Sequence, residues 1–404
     1  MPRPSRLPGR RHGLRSLLAA AALALPLAAP KAPERADAAP SQQGPPSLAG
    51  CPLLPPDDIW NTRVDGLPVH ARSAAWIRSI GTDTGLHADF GSGLWNGGPI
   101  GIPFVVVPGT QPKVPVRFEY ADESDPGPYP IPPNAPIEGG PAADGDRHIL
   151  VLDKDHCRLY ETWSTYPEGA GWKAGSGAIF DLQSSKLRPD GWTSSDAAGL
   201  PILPGLLRYD EVTAGAIRHA IRFTVQRSQR AYLWPARHFA SNIRDADVPP
   251  MGARLRLKAG VDLGRYSPPV RVILQGFKDY GLLLADNGSN WFISGVPDER
   301  WNNDLLRELR NIHGSDFEVV DASGLMIDPD SGQARQPGGA PTGLPTATAT
   351  DEPTARPTDA PTTAPPATET GMPEPSATAP ATPTETVIGD SWWLYLPLLR
   401  REGR

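Results

Sequence analysis

Cysteine is almost absent. Two occur among 404 residues, Cys51 and Cys157, and neither neighbours a second ligand at metal-site spacing, which excludes a cysteine-ligated zinc centre and a disulfide-dense scaffold. Also missing is any run of the ~20 apolar residues needed to cross a bilayer. The longest apolar run, Leu17 to Ala29, follows a cluster of arginines and precedes an A-x-A site at Ala36-Asp37-Ala38. That order reads as a secretory signal over 1–38, removed rather than folded. Arg10-Arg11 followed by Leu14 keeps a twin-arginine route open beside the general one. In an oxidising compartment a Cys51–Cys157 bridge is the expected fate of both thiols. Leu48-Ala49-Gly50-Cys51 also spells a lipid-attachment box, although about twenty mostly polar residues separate it from the apolar run.

A surplus of positive charge is missing as well. The leader holds seven basic and two acidic residues and the tail from 338 holds four and eight, leaving 28 basic and 35 acidic residues between them. A net charge of −7 there argues against a nucleic-acid partner. No GxxxxGK[ST], strand-linked GxGxxG, HExxH, EF-hand loop or GxSxG elbow occurs, so nucleotide, zincin and serine-hydrolase chemistry find no motif. No internal repeat of solenoid or propeller length is visible.

Proline is abundant, with 49 residues. Residues 336–390 are dominated by Pro, Thr and Ala and read as an extended, solvated linker. Residues 391–404, SWWLYLPLLRREGR, form a short apolar-basic tail of interfacial or sorting type. After a linker over 39–50, one globular domain spans 51–335.

Within it, IPFVVVP (102–108), PVRFEYA (115–121), HILVLD (148–153), RLYETW (158–163), RLRLK (254–258), LLLAD (282–286) and WFISGV (291–296) read as short strands between Gly-, Pro- and Asp-rich loops. This pattern predicts a mainly β domain, an antiparallel sandwich, jelly roll or barrel, with α+β as the alternative. Three peripheral helices are expected: over 72–80, after Ser267-Pro268-Pro269 up to Gly281, and from Asn303 to Gly314.

In GAIRHAIRFTVQRSQRAYLWPARHFAS (215–241), His219 alternates with Ile217, Ile221, Phe223 and Val225, and His238 with Tyr232, Trp234 and Ala236. A turn at Ser228-Gln229 would set the two histidines opposite each other, at cross-strand distances of roughly 4.5–5.5 Å. Two imidazoles so placed can divide acid and base roles; a hydrogen-bonded core pair is the structural alternative. Arg218, Arg222 and Arg237 would share the opposite face.

Asp122, Glu123, Asp125 and Glu138 lie on the proline-stiffened segment 120–140. Glycoside hydrolysis uses two carboxyl groups flanking one bond, and Asp125 and Glu138 are the candidates. The alternatives are an acidic loop, or a calcium site shared by Asp144 and Asp146. His148 begins a strand just beyond. Asp181, Asp196, Asp210 and Glu211 carry no specific spacing, and Asp286 reads as a turn residue. Trp95, Trp172 and Trp192 sit in loops of small residues, where an indole can offer a flat face to a sugar; Trp234 and Arg237 lie beside His238.

FGSGLWNGGPIGIPFVVVPGTQPKVPV, DESDPGPYPIPPNAPIEGG, RYDEVTAGAIRHAIRF, WPARHFAS and LLLADNGSNWFISG together resemble a group of uncharacterised secreted bacterial β-rich proteins. The resemblance spans roughly 51–330 and implies no activity. The residues themselves lead to an exported or cell-surface monomer that cleaves a polysaccharide or cell-envelope glycan by hydrolysis or β-elimination. In the second case Arg237 would neutralise a uronate. The alternative is a non-catalytic glycan-binding or structural surface protein.

Overall fold

The computed structural model describes residues 44–336; the predicted signal (1–38), most of the proline-rich linker and the C-terminal tail lie outside them. In chain order the two main sheets use His87–Asp89 (β1), Phe104–Val107 (β2), Ile149–Asp153 (β3), Arg158–Trp163 (β4), Ser176–Asp181 (β5), Ile221–Val225 (β6), Arg254–Leu257 (β7), Leu282–Asn287 (β8), Phe292–Ser294 (β9) and Phe317–Val320 (β10). One sheet has the order β5-β4-β3-β2 and the other β10-β7-β8-β6-β9-β1. Strand exceeds helix, as expected, and no sheet among the described residues closes into a barrel.

The ladders are mixed rather than antiparallel throughout: β2/β3, β6/β8 and β9/β1 are parallel pairs. The reason lies in the connections. Parallel neighbours need long crossovers, and the segments between β2 and β3 and between β6 and β8 supply them. Both β3 and β6 are buried at every position, because each sheet is covered on both faces and alternation gives way to continuous apolar runs.

The helix Pro268–Asp279 forms where expected, with Pro at its first turn. Its Val270, Ile273, Leu274 and Phe277 are fully buried, each contributing about 1.5–3 kcal/mol by area removed from water. Gly281 follows at φ 72°, and a Cβ there would lie 2.0 Å from the Leu255 carbonyl oxygen, so the chain can turn into β8 only through glycine. Ser73–Ile80 is the first predicted helix. The third is only partly α-helical: Asn303–Leu306 is α and Arg307–Asn311 is 3-10.

The segment 215–241 does not form the predicted hairpin. β6 pairs with β8 and β9 instead, and beyond it the backbone bonds elsewhere: Gln229 N–H donates to Pro249 and Arg230 N–H to Ile243. Pro235 has no N–H to offer a ladder, and Ser228 Oγ donates to Asn287 Oδ1 at 2.6 Å, holding the chain against the end of β8. His219 and His238 are therefore not cross-strand partners.

Cys51 and Cys157 are joined, with Cα atoms 5.3 Å apart across 106 residues of sequence. Closing a loop of that length constrains the unfolded chain by about 4–5 kcal/mol. It also consumes Cys51, which corrects the lipid-attachment reading.

Candidate functional site

The loop Thr193–Gly199 connects the two sheets. Ser176 Oγ in β5 donates to the Ser194 carbonyl at 2.7 Å, and Ala198 N–H donates to Ala285 in β8. Just beyond the loop, the N–H groups of Ile202 and Leu203 donate to Glu161 on β4, which is completely buried. Burial, opposed only in part by these donors, pushes the Glu161 carboxyl up to about 7.

Two histidines hang from this loop, one on each side of Asp196. His148 presents Nε2 to the Ser195 carbonyl at 3.0 Å and Nδ1 to Glu138 Oε2 at 2.6 Å. His238 presents Nδ1 to the Ala197 carbonyl at 2.9 Å, and its Nε2 lies 4.0 Å from Glu123 Oε2. A carbonyl can only accept, so the proton on His148 Nε2 is fixed. Burial opposes a second proton on His148, but the Glu138 carboxylate, its hydrogen bond and Asp146 outweigh it and hold the ring up to about 10. The pair is an imidazolium facing a carboxylate.

Arg147 sets this geometry. It adopts a left-handed φ of 51°, and its buried guanidinium donates to the carbonyls of Pro141, Ala143 and Thr165. The turn between Glu138 and His148 is thereby tied down, and ligand atoms of Glu138, Asp146 and His148 lie within 4.8 Å of one another. Trp163 Nε1 donates to Asp146 Oδ1 at 3.1 Å.

The six-stranded sheet supplies the other side. Arg222 on β6 is buried and binds both oxygens of Asp196 at 2.8 Å, Asp286 Oδ2 at 2.9 Å and Ser294 Oγ at 2.7 Å. Asp89 on β1 sits in register with Ser294 on β9. Burial, then the charge of Asp196, raises the Asp286 carboxyl well above its ordinary range. Partial desolvation, then the charge of Glu138, raises the Asp89 carboxyl above its ordinary range. Asp89 is nevertheless open to solvent, so water screens part of that rise.

Asp89, Glu138, Asp146, Asp196 and Asp286 thus face two cations, His148 and Arg222. Beside them stands the hairpin of Leu94–Trp95 with Gly98–Pro99. A Cβ on Gly98 would lie 2.0 Å from the Gly139 carbonyl oxygen, so the hairpin rests directly on the residue after Glu138. Leu94 and Trp95 on it are 69% and 70% exposed.

Other predicted site residues lie elsewhere. His219 is buried, with Nδ1 2.8 Å from the Ala220 carbonyl and Nε2 3.1 Å from Glu211 Oε2: a satisfied core histidine. Asp125 is bound by Arg188 Nη1 and by the Ile179 N–H. Arg237 is buried and donates to Pro329 and Asp330. Trp234 is half-buried with its indole N–H on Ser331. Trp172 is only 7% exposed, which overturns its reading as an open platform, because it lies on the strand Gly171–Ala174 of a three-stranded sheet and joins a buried cluster with Val107, Tyr129 and Ile131. Trp192 is half-buried, with Arg188 5.5 Å over its ring. Asp144 is exposed and is not among the Glu138, Asp146 and His148 atoms that lie within 4.8 Å of one another.

Sequence reasoning missed Asp89, Glu161 and Arg222 as members of the cluster. Arg222 read as lying on the face opposite His219, and it is Asp196 on the Thr193–Gly199 loop that receives it inside the protein; Glu161 is received just beyond that loop by Ile202 and Leu203. A cavity of about 480 Å³ lined by Asp57, Lys186, Asp328 and Asp330 shares no residue with the cluster. It holds no histidine and no buried ion pair, so chemistry rather than volume identifies the site. Comparison with family models, curated proteins and solved structures found no match to this chain.

Proposed function

We propose that the chain is an exported carbohydrate-active enzyme that hydrolyses a glycosidic bond at the carboxylate–histidine cluster. The observation that carries this reading is the geometry of carboxyl groups on one surface: Asp89 is open to solvent and close enough to feel the charge of Glu138 and Asp146, while Glu138 is held by His148 Nδ1 at 2.6 Å. Two carboxyl groups with different partners on one surface are what acid and base roles require. Asp89 is the proton donor, and Glu138, with Asp146 beside it, is the base or nucleophile. His148 and Arg222 position them, and Trp95 offers its exposed ring to the sugar.

Hydrolysis is favoured over β-elimination. Elimination from a uronate needs a cation free to neutralise the substrate carboxylate, and both Arg222 and Arg237 are engaged within the protein. A glycan-binding role without turnover is the second reading, supported by the exposed Leu94–Trp95 strand.

The test is to incubate the full chain with neutral and acidic polysaccharides and measure reducing ends. Release from a neutral glycan, lost in Glu138→Gln while the variant stays folded by circular dichroism at the assay temperature, is the expected result. Binding without release from any glycan would replace hydrolysis by the second reading.

A further inference from the structure

The sheet face that carries Asp89 also carries a polar side chain that the proposed hydrolysis does not use. In β1, residues two apart point to the same side. Ala88 packs against the main core, so His87 and Asp89 share the opposite face, roughly 6.5 Å apart along the strand. The register continues that face across two more strands: His87 pairs with Phe292 and Asp89 with Ser294 on β9, and Ser294 Oγ is bound by Arg222 from β6. The His87 ring stacks on Phe292, with centroids 4.0 Å apart and planes at 21°, which fixes the plane of the imidazole. Among the described residues neither of its nitrogens has a hydrogen-bond or ion-pair partner, and neither is sealed from solvent. His148 and His219 differ, since each spends both nitrogens within the protein. Partial burial, then the charge of Arg310, lowers the His87 pKa from 6.5. At neutral pH the ring is therefore uncharged, with one N–H donor and one acceptor.

An anion would use only the N–H of such a ring, and an ammonium group only its lone pair. Sugar hydroxyls both donate and accept, so a pair of them uses both nitrogens. We infer that His87 is a substrate-binding residue of the proposed site, where it hydrogen-bonds the hydroxyls of a neutral sugar unit next to the scissile bond. The inference rests on the hydrolase reading and adds to it a residue that touches substrate without exchanging a proton. Few precisely placed polar groups beside an aromatic ring are what fix a ligand's orientation, and Phe292 supplies the ring that holds this one.

The experiment uses the full chain, labelled with nitrogen-15 at its eight histidines, and hexamers of β-1,4-linked glucose, mannose and xylose. The His87 signals are those missing from the spectrum of His87→Phe, a variant that keeps an aromatic ring on Phe292; His87→Gln supplies the same assignment if that variant misfolds. A hexamer that binds should shift both ring nitrogens of His87 in the wild-type chain and leave those of His219 unmoved. His87→Phe should bind the same hexamer roughly fivefold to tenfold more weakly, as expected for the loss of one or two neutral hydrogen bonds, and raise KM by a similar factor with kcat unchanged. A hexamer that binds or is cleaved while the His87 nitrogens stay unmoved, or that binds His87→Phe equally well, overturns the inference and leaves the hydrolase reading standing. The expected shift and weaker binding with no cleavage of any glycan would keep the sugar contact and remove the hydrolysis. Failure of all three hexamers to bind at millimolar concentration overturns the inference, while release of reducing ends from the polysaccharides decides the hydrolase reading separately.

Discussion

Asp89 shows how a residue with no sequence motif can carry the chemistry. Its strand is three residues long, and its importance comes from what the fold brings near it: Glu138 and Asp146 from one connection and Arg222 from the six-stranded sheet. A proton donor works only while it holds its proton, so activity should fall toward alkaline pH. Asp89→Asn should lower kcat by roughly 10²–10⁴-fold and abolish that alkaline limb; a pH–rate profile of both proteins checks it. Trp95 makes a different contribution. With most of its ring exposed, Trp95→Ala should leave Tm unchanged while raising KM by about tenfold, as expected for the loss of a hot-spot aromatic contact. Steady-state kinetics beside a thermal melt separates the two effects.

Elements differ in how much of them could be read before folding. The helix Pro268–Asp279 was fully legible, since its proline start, its stripe of Val270, Ile273, Leu274 and Phe277 and its glycine stop are all local signals. The strands were legible as strands, but their partners were not. Alternation in 217–225 and 232–238 suggested a hairpin, whereas β6 gains more by pairing with β8 and β9 at the centre of a sheet. His148, Glu138 and Asp196 could be singled out by residue type. That His148 and Asp196 would meet at one loop, while His219 would turn to Glu211, depends on contacts between distant segments. The Leu94–Trp95 hairpin gives a test at this scale. Gly98→Ala would drive a methyl into the Gly139 carbonyl, so the hairpin should lift away from Glu138. The expected outcome is a loss of activity of about tenfold or more, larger than any loss of stability, in line with the sensitivity of catalysis to small misplacements.

For the whole molecule, the buried carboxyls impose a pH dependence on stability. Burial raises Asp58 from 3.8 and Glu161 from 4.5, each to about 7. The folded state therefore binds these protons more tightly than the unfolded chain, and the stability they contribute is present at acid pH and lost as pH rises through about 7. His148, held up to about 10 by Glu138 against the opposing effect of burial, acts in the same direction above its ordinary 6.5. Tm should fall by several degrees between about pH 5 and about pH 8, a slope that Glu161→Gln should flatten. The central claim, hydrolysis at the cluster, is tested most directly by turnover of a neutral glycan in heavy-oxygen water, followed by mass spectrometry of the product ends. The account predicts heavy oxygen incorporated at the new reducing end, and no such product from Glu138→Gln. Unsaturated product ends without heavy oxygen, or incorporation that Glu138→Gln leaves untouched, would contradict it.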